Sequence, residues 1–433
     1  MKALLISMGT RGDVEPFLAV GEILGERGWE VVCLFPEQFR GMTEAMGFRF
    51  HGFSEEFLKL IEGSDAKEIL GGEGGLFSRL MNWFSLARKG MKLARESVEV
   101  QHRVQKDEAP DRIIYHPKCN TAIVWGMANP GRAIQLAPIP GLVHAVDEFA
   151  PMWKDFGRIV NRASYRLINW FKAFAVKRFT KKYIRDLGFT KLTVDEINLA
   201  LLETEKTIYT VSPSLFKRPG YWPQTAEVVG YFERDKAVDW QPDERLVEFL
   251  TNHQKIVFIS FGSMTNTKPH EKTEAIVNVL KKHNIPAIIN TSWGGLCEIE
   301  DAPENVIFVS DVPYDWLYPQ IYAVLHHGGS GSTHMAVKYG LPALVVPHAL
   351  DQPFWGRIIH KKGLGPEPLP INRLSETAFG SRLLELYDRY DCKRNAEQIS
   401  QQMALEADRA RLYNLIQGDQ EQQPNDIDKD PKI

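Results

Sequence analysis

The chain has 433 residues, of which 44% are hydrophobic and 25% are charged, and its formal net charge is −3. This length is too great for one compact core and predicts two domains of roughly 200 residues each. The balanced charge argues against a nucleic-acid partner, and no apolar run approaches the roughly 18 residues of a membrane-spanning helix.

The cysteines and the N-terminus bear on the compartment. The cysteines are scattered without close pairs: Cys33, Cys119, Cys297 and Cys392. This spacing argues against a disulfide framework or a zinc site and predicts a cytoplasmic protein. The apolar residues 1–8 are interrupted by Gly9 and Arg11, too early for a secretory signal, and predict a buried first strand instead.

Strand and helix patterns alternate from the start of the chain. Residues 3–8 and 30–35 are predicted strands, and residues 16–27 have the apolar spacing of a helix. This β-α-β order predicts a parallel sheet with a right-handed crossover. Residues 112–115 and 139–143 are predicted as later strands of the same sheet.

Residues 158–185 combine helical apolar spacing with many basic side chains. The apolar positions are Ile168, Phe171, Ala175, Phe179 and Tyr183. The basic residues around them are Arg158, Arg162, Arg166, Lys172, Lys177, Arg178, Lys181, Lys182 and Arg185. Such a helix either rests on an anionic membrane, at its inner face, or is a core helix with a solvated basic face, and both interpretations stay open. A second amphipathic stretch carries Leu76, Leu80, Trp83 and Phe84.

A second series of strands begins near residue 255. The predicted strands are 256–261, 287–290, 306–309, 323–326 and 343–347. The Pro-rich segment 212–243 suits the junction. We therefore predict an α/β fold with two Rossmann-like domains facing across a cleft, where ligands bind at the carboxyl ends of the strands. The predicted boundaries are 1–232, 233–395, a C-terminal helix at 396–417 that packs back on the first domain, and a disordered tail at 418–433.

The strongest local motif is His326-His327-Gly328-Gly329-Ser330-Gly331-Ser332-Thr333, between a predicted strand and a predicted helix. Glycines permit close backbone approach, and free N–H groups at a helix start favour a diphosphate. The first turn, residues 9–12, lacks the G-x-G-x-x-G pattern, and the second strand ends without an acid for a ribose. A hydride-transfer enzyme is therefore disfavoured.

Two acidic positions follow predicted strands. Asp13 could take a proton from an acceptor hydroxyl or could cap the helix that starts near residue 16, and the two roles can coexist. Asp351-Gln352 offers an acceptor and a donor to adjacent sugar hydroxyls, but this pair alone favours a turn that ends the strand. Asp426 and Asp428 lie in the predicted tail and are interpreted as a chance match to a metal-binding pair.

Six segments in order resemble the GT-B glycosyltransferases of the UDP-glycosyltransferase superfamily, and among them the sterol 3-beta-glucosyltransferase group. The segments are 9–16 (GTRGDVEP), 261–264 (FGSM), 293–296 (WGGL), 312–317 (VPYDWL), 326–333 (HHGGSGST) and 351–356 (DQPFWG). Each alone is a weak signal, but together they are specific for the family. The resemblance makes the first domain acceptor-binding and the second nucleotide-sugar-binding.

The resemblance implies site residues. Asp13 would be the general base, with Thr10, Arg11 and Gly12 in the loop on the acceptor side. The diphosphate would contact Ser263, His327, Gly329, Ser330, Gly331 and Ser332. Trp293, Val312 and Thr333 would lie at the base and ribose, and Asp351 and Gln352 at the donor sugar. The family inverts the anomeric centre without a metal, so the resemblance implies no metal and no cofactor beyond a nucleotide-sugar co-substrate, expected to be UDP-glucose.

The acceptor stays open to any apolar hydroxylated molecule, such as a sterol or another lipid. Met335 stands where many relatives have a ribose-binding Glu, which weakens the expectation of UDP over dTDP. Two other functions remain possible on the same fold: a nucleotide-sugar isomerase such as an epimerase, and a non-catalytic binder of sugar nucleotides or lipids.

Overall fold

A computed structural model of the chain describes residues 1–54, 93–119, 121–151, 155–234, 240–262, 264, 266, 268–292 and 294–418. Several predicted features lie outside the described residues. They are the amphipathic stretch from Leu76 to Phe84, the site residues Ser263 and Trp293, and the tail with Asp426 and Asp428.

Twelve described strands form two sheets in which every pairing is parallel, which confirms the predicted fold class. The strands of the first sheet are β1 (Lys2–Ile6), β2 (Glu30–Pro36), β3 (Arg49–Phe53), β4 (Arg112–Tyr115), β5 (Ala133–Ala137), β6 (Lys206–Tyr209) and β7 (Ala226–Val228), in the order β3-β2-β1-β4-β5-β6-β7. Those of the second are β8 (Val257–Ser260), β9 (Ala287–Asn290), β10 (Val306–Val309), β11 (Ala323–His326) and β12 (Ala343–Val345), in the order β10-β9-β8-β11-β12.

Helices connect the strands. In the first half they are α1 (Arg11–Gly25), α2 (Arg40–Ala45), α3 (93–108), α4 (Ala122–Ala128), α5 (Arg158–Thr180) and α6 (Val194–Leu199), which continues as a π-helical turn over Ala200–Thr204. In the second half they are α7 (Glu244–Asn252), α8 (Pro269–Lys282), α9 (Tyr314–Leu317), α10 (Ser330–Lys338), α11 (Gln352–Lys361), α12 (Glu376–Asp388), α13 (Tyr390–Glu406) and α14 (Arg409–Gln417). No helix in the described ranges is long and apolar enough to cross a membrane.

The central strands are buried on both faces, as expected for a parallel sheet covered by helices. Ala3, Leu4, Leu5 and Ile6 of β1 are all fully buried, which explains why this strand has a continuous apolar sequence rather than an alternating one. Since helices cover both faces, the loops at the carboxyl edges are where polar side chains can collect.

Two predicted elements are misplaced. The strand predicted at 139–143 is wrong, because the chain leaves the sheet at Ala137, where Pro138 and Pro140 interrupt the pairing. The Pro-rich segment 212–243 is not only a junction, since β7 lies within it and pairs with β6 in the first sheet. Proline-rich sequence and a short edge strand coexist here because an edge strand needs few ladder donors.

The segment predicted as one helix at 396–417 is divided. Helix α13 lies on the second domain against α10, and it ends at Glu406. Asp408 then caps α14 by accepting from the N–H groups of Ala410 and Arg411, each at 2.9 Å. Helix α14 packs on the first domain, where Arg409 pairs with Glu22 on α1 and with Glu26 just after it, while Glu406 at the end of α13 accepts hydrogen bonds from Ser212 and Ser214.

The chain passes between the domains at two neighbouring places. After β7 it leaves the first domain at Gly230, and after α13 it returns at Glu406. Gly230 has φ +116°, and a Cβ there would lie 2.8 Å from the Glu406 carbonyl oxygen. Glycine is required at this crossing by both its conformation and the space.

The domains share one apolar cluster. It includes Phe149 and Trp222 from the first domain and Phe258, Phe354 and Trp355 from the second. Phe149 meets Phe354 edge to face, with ring centroids 4.9 Å apart. This contact holds the carboxyl edges of the two sheets toward each other.

Candidate active site

The predicted acidic residue of the first domain lies where β1 passes into α1. Helix α1 begins at Arg11, five residues earlier than predicted, with Thr10 as N-cap and Asp13 in its first turn. The Thr10 N–H donates to Asp13 Oδ2 at 2.9 Å. The capping role of Asp13 is therefore confirmed, in a capping box rather than as the N-cap itself.

Two further residues hold the other oxygen of Asp13. Lys118 Nζ donates to Oδ1 at 2.6 Å, and His116 Nε2 lies 3.2 Å from the same atom. Burial alone would raise the pKa of Asp13, but the charge of Lys118 and the contact with His116 outweigh it and hold this pKa well below its ordinary value. The carboxylate is therefore fully ionised at neutral pH.

His116 is neutral and fully buried. Burial lowers its pKa, although Asp13 acts in the opposite direction. Its Nδ1 accepts from the Lys118 N–H at 3.0 Å, so the proton is assigned to Nε2, which faces Asp13. Because the ring is buried, it can orient Asp13 but cannot itself contact an acceptor.

Gly9 makes room for this cluster. It has φ +135°, and a Cβ there would lie 2.1 Å from Asp13 Oδ2 and 3.0 Å from Lys118 Nζ. A side chain at position 9 would therefore displace the carboxylate from both partners.

In the second domain, the Gly-Ser motif lies between β11 and α10, as predicted. The His327 ring lies between two glycines, since a Cβ would come within 2.7 Å of the ring at Gly262 and 2.5 Å at Gly329. Burial lowers the pKa of His327 to about 3, with His326 and His348 acting in the same direction. The ring is therefore neutral and carries one donor.

Three histidines at this edge each have a buried nitrogen with no hydrogen-bond partner among the described residues. The atoms are Nε2 of His326, Nδ1 of His327 and Nε2 of His348. The Gly328 N–H donates to His326 Nδ1 at 3.0 Å, so His326 Nε2 is assigned as a free donor. Unpartnered buried polar atoms in a native fold call for an explanation, and a bound ligand is one.

One predicted nucleotide contact is already engaged in this structure. The Ser330 hydroxyl donates across the cleft to the carbonyl of Pro138 at 2.8 Å, so it serves a contact between domains rather than a diphosphate. Thr333 is fully buried one turn into α10, and its Oγ1 has no hydrogen-bond partner among the described residues, so its contact with a ribose stays a prediction. The N–H groups at the start of α10 and the part-exposed Gly329, Gly331 and Ser332 remain as candidate anion contacts.

The two residues predicted to contact the sugar differ. Gln352 Oε1 accepts from the N–H groups of His348 and Ala349, at 2.7 and 3.0 Å, so this side chain fixes its own loop. Asp351 Oδ2 accepts from Trp355 Nε1 at 2.9 Å. Burial raises the pKa of Asp351 to about 6, and the Asp13 charge adds to this effect, which places the two carboxyl groups within electrostatic reach of each other.

The remaining predicted residues frame the cleft. Val312 is buried after β10, next to Asp311, whose φ is +52°. Thr10 and Gly12 are exposed at the start of α1, and Arg11 Nε donates to Glu15 Oε1 at 2.8 Å. Met335 is packed in the apolar cluster that the two domains share, so the position where relatives carry an acid faces the core here.

Sequence reasoning missed His116 and Lys118. The signal was present, because both follow β4, whose position was predicted, and β4 lies directly beside β1. Polar residues after neighbouring parallel strands collect at one edge of the sheet. Applying this rule to β4 would have found both partners of Asp13.

The chain matches two family models. The glycosyltransferase family 28 N-terminal domain matches residues 3–105, and the erythromycin biosynthesis protein CIII-like C-terminal domain matches residues 280–410. A sterol 3-beta-glucosyltransferase of Arabidopsis thaliana is 31% identical over 88% of this chain and 62% of its own length. An O-mycaminosyltylonolide 6-deoxyallosyltransferase of Streptomyces fradiae is 27% identical over 88% of each chain. The chain thus spans about three fifths of its plant relative.

Solved structures show the same fold. The glycotransferase of kitacinnamycin superposes with a TM-score of 0.68 at 16% identity, over 96% of this chain and 98% of its own. The calicheamicin glycosyltransferase CalG4 gives 0.68 at 17% identity, over 96% and 97%. With both family matches and a shared two-domain architecture, the chain has the GT-B fold and is built from two domains of glycosyltransferase type, and its sequence is similar to those of the sterol 3-beta-glucosyltransferases.

Proposed function

We propose that the protein transfers a hexose from a nucleotide-sugar, expected to be UDP-glucose, to a hydroxyl of an apolar acceptor such as a sterol. The reaction is an inverting, metal-independent displacement. One observation carries the proposal: an ionised carboxylate at the carboxyl edge of one sheet lies within electrostatic reach of Asp351 at the edge of the other, where neutral histidines have buried nitrogens without a partner among the described residues. Relatives named for transfer to sterols support the acceptor class.

Asp13 activates the acceptor hydroxyl in this proposal. While Lys118 contacts it at 2.6 Å, Asp13 is a weak base, because removing that charge-assisted contact costs free energy. The Lys118 side chain is 45% exposed, so an entering hydroxyl can take its place on Oδ1. The exchange would raise the pKa of Asp13 only once the acceptor is bound, and His116 would keep the carboxylate oriented throughout.

The second domain stabilises the leaving diphosphate. The neutral His327 and the N–H groups that begin α10 are dipoles rather than charges, and they are fixed before the ligand arrives. Such preorganised donors stabilise charge that develops on a leaving group without reorganisation. In a metal-independent reaction, these dipoles carry the task of stabilising the diphosphate.

Of the two residues predicted to contact the donor sugar, Asp351 is the better candidate, because Gln352 Oε1 already accepts from two backbone N–H groups. Its carboxylate accepts from Trp355 and can accept from a sugar hydroxyl when it is ionised. Since burial raises its pKa to about 6, this contact depends on pH in the range of cellular values.

A non-catalytic binder is the second candidate, because both oxygens of Asp13 already have partners, as a purely structural residue would. The deciding experiment compares the wild type, Asp13→Asn and the exposed control Asp107→Asn. Binding of UDP, dTDP and UDP-glucose is measured by calorimetry. Glycosylation of pooled apolar alcohols is measured by mass shift, with and without EDTA.

We expect UDP binding in all three proteins, and turnover that survives EDTA in the wild type and the control. Asp13→Asn should lose turnover by about 10²- to 10⁴-fold because it removes a general base. Turnover near the wild-type rate in Asp13→Asn would leave only the capping role. Binding without product from any acceptor would favour the binder.

A further inference from the structure

Helix α5 turns a large apolar surface away from the protein. Leu167, Trp170, Phe171 and Phe174, at the spacing of one helical stripe, are 60%, 43%, 51% and 46% exposed, and Ile159 near the helix start is 84% exposed. Trp170 and Phe174 stack with ring centroids 5.7 Å apart. We call these five side chains the outer face of α5.

The opposite, buried side of the helix combines polar and apolar residues. Its buried residues are Asn161, Tyr165, Asn169, Ala173, Val176 and Thr180. Asn161 Nδ2 donates to the Asp147 carbonyl at 2.7 Å, and Asn169 Nδ2 donates to that of Val143 at 3.0 Å. Lys172 Nζ donates to the Leu142 carbonyl at 2.7 Å. These bonds fix the rotation of α5, so its outer face is exposed by specific contacts.

This arrangement departs from the usual pattern, in which a surface helix buries most of its large apolar side chains. Contiguous exposed apolar side chains with a polar border mark an interaction site. The predicted apolar positions Ile168 and Phe171 are on the exposed side, whereas Ala175, Phe179 and Tyr183 are partly buried.

A basic groove continues the outer face at the C-terminal end of α5. It has a volume of about 920 Å³ and shares Phe174 with the outer face. The charged residues that line it are Arg95, Glu99, Lys177, Arg178, Lys181, Lys182 and Lys191. Lys182 pairs with Glu99, which leaves a surplus of cations. The groove is therefore complementary to anionic groups, although the whole chain carries a net charge of −3.

We propose that the outer face of α5 inserts into the surface of an anionic bilayer, with the basic groove over the lipid headgroups. Tryptophan and phenylalanine suit the boundary between headgroups and acyl chains, and lysine and arginine add attraction to anionic lipid. The carbonyls that hold α5 belong to residues 142–147, which follow β5 at the carboxyl edge of the first sheet. An apolar acceptor leaving the bilayer would therefore arrive at the edge that carries Asp13.

The charge distribution favours a bilayer over a second copy of this chain. In a two-fold symmetric contact through the same face, the basic grooves of both copies would be brought together, and like charges repel. A bilayer of anionic lipid provides negatively charged headgroups for the basic groove and an apolar acyl-chain layer beneath them for the outer face.

The test is co-sedimentation of the full chain with two kinds of vesicle. One is phosphatidylcholine alone, and the other is phosphatidylcholine mixed with phosphatidylglycerol, whose anionic headgroups give the surface a negative potential. One variant replaces the outer face (Trp170→Ser, Phe171→Ser and Phe174→Ser). A second weakens the groove (Lys177→Gln and Arg178→Gln). The control places serine at two exposed apolar positions of α13, Tyr390 and Leu405.

We expect the wild type and the control to bind anionic vesicles and to be released by salt. The outer-face variant should bind about tenfold or more weakly, since it loses the inserted side chains, and the groove variant about tenfold more weakly, since it loses two cations. The changed side chains are exposed, so melting temperatures should match the wild type and UDP binding should persist.

Three results would overturn the proposal. The first is a wild type that stays in solution with anionic vesicles at low salt. The second is an outer-face variant that binds as well as the wild type. The third is a dimer in light scattering that disappears in the outer-face variant, which would assign the face to a second copy.

Discussion

The two edges of the cleft present opposite kinds of chemistry. On the first domain Asp13 and Lys118 are charged and already paired, with His116 behind them. On the second domain His326, His327 and His348 are neutral, and each has an unpartnered nitrogen among the described residues. At the first edge the polar groups already have partners, so a ligand must replace an existing contact. At the second edge a ligand would supply the missing hydrogen-bond partners.

Apart from Asp13→Asn, the largest effect should come from the unpaired edge. His327→Ala removes a preorganised donor, and we expect kcat/KM to fall by about 10²-fold, with weaker binding of UDP. Calorimetry and steady-state rates measure both, and the exposed His360→Ala serves as control. Because the pKa of His327 is lowered to about 3 by burial, its loss should be equal at pH 6 and pH 8. A pH-dependent loss would mean that the ring acts as a cation, and the contrast between the edges would fail.

The second-largest effect should come from Asp351→Asn, for which we expect kcat/KM to fall by about tenfold at pH 8. As burial raises its pKa to about 6, the wild-type kcat/KM should fall below about pH 6, where this carboxyl takes up a proton. Asp351→Asn should be slower at pH 8 and lack this fall. Between its unfolded pKa near 4 and about 6, the folded state binds the extra proton, so Asp351 makes stability decrease as pH rises through that window. Chemical unfolding of the Asn variant from pH 4 to 7 should show that decrease removed.

Lys118→Met tests the paired edge and should change rates by only a few-fold at pH 8. The Lys118 charge holds the pKa of Asp13 low, so the variant should show an acid limb in kcat/KM at higher pH than the wild type. The stabilisation from a depressed carboxyl pKa is present above the unfolded value and lost as pH falls. The unfolding free energies of wild type and variant should therefore differ at pH 7 and converge toward pH 2. Identical pH profiles of kcat/KM and unfolding free energy in the two proteins would show that Lys118 does not lower the pKa of Asp13.

The smallest changes in stability and UDP affinity should come from Ser330 and Ser332, two serines in the first turn of α10. Ser330→Ala removes the hydrogen bond to Pro138 and should cost about 1 kcal/mol of stability, with UDP affinity changed less than about twofold. Ser332→Ala should show the reverse pattern if its hydroxyl contacts the diphosphate. Differential scanning calorimetry and UDP titration of both variants test this expectation. Equal changes in stability and in UDP affinity in the two variants would contradict the assignment of Ser330 to the domain contact and Ser332 to the diphosphate.

Much of the framework was predictable, because apolar runs between turn residues identify buried strands. The strands β9, β10 and β11 have the predicted bounds. The placement of β5 failed because the apolar run at 139–143 resembles a strand, and only Pro138 and Pro140 argue otherwise.

The site was predictable in position but not in the use of each side chain. That Asp13 and the Gly-Ser motif lie at carboxyl edges follows from their place after strands. That Ser330 bonds to Pro138 depends on two residues 192 positions apart, which no local pattern contains. The same holds for α5, whose rotation is decided by the carbonyls of residues 142–147 rather than by its own apolar stripe.

The close approach of Gly230 and Glu406 has a mechanical consequence. Because the two connecting segments lie side by side, we expect them to act as one hinge. The two domains would then rotate relative to each other about an axis through both backbones. A side chain added at residue 230 would push the two segments apart and shift the edges of the two sheets relative to each other.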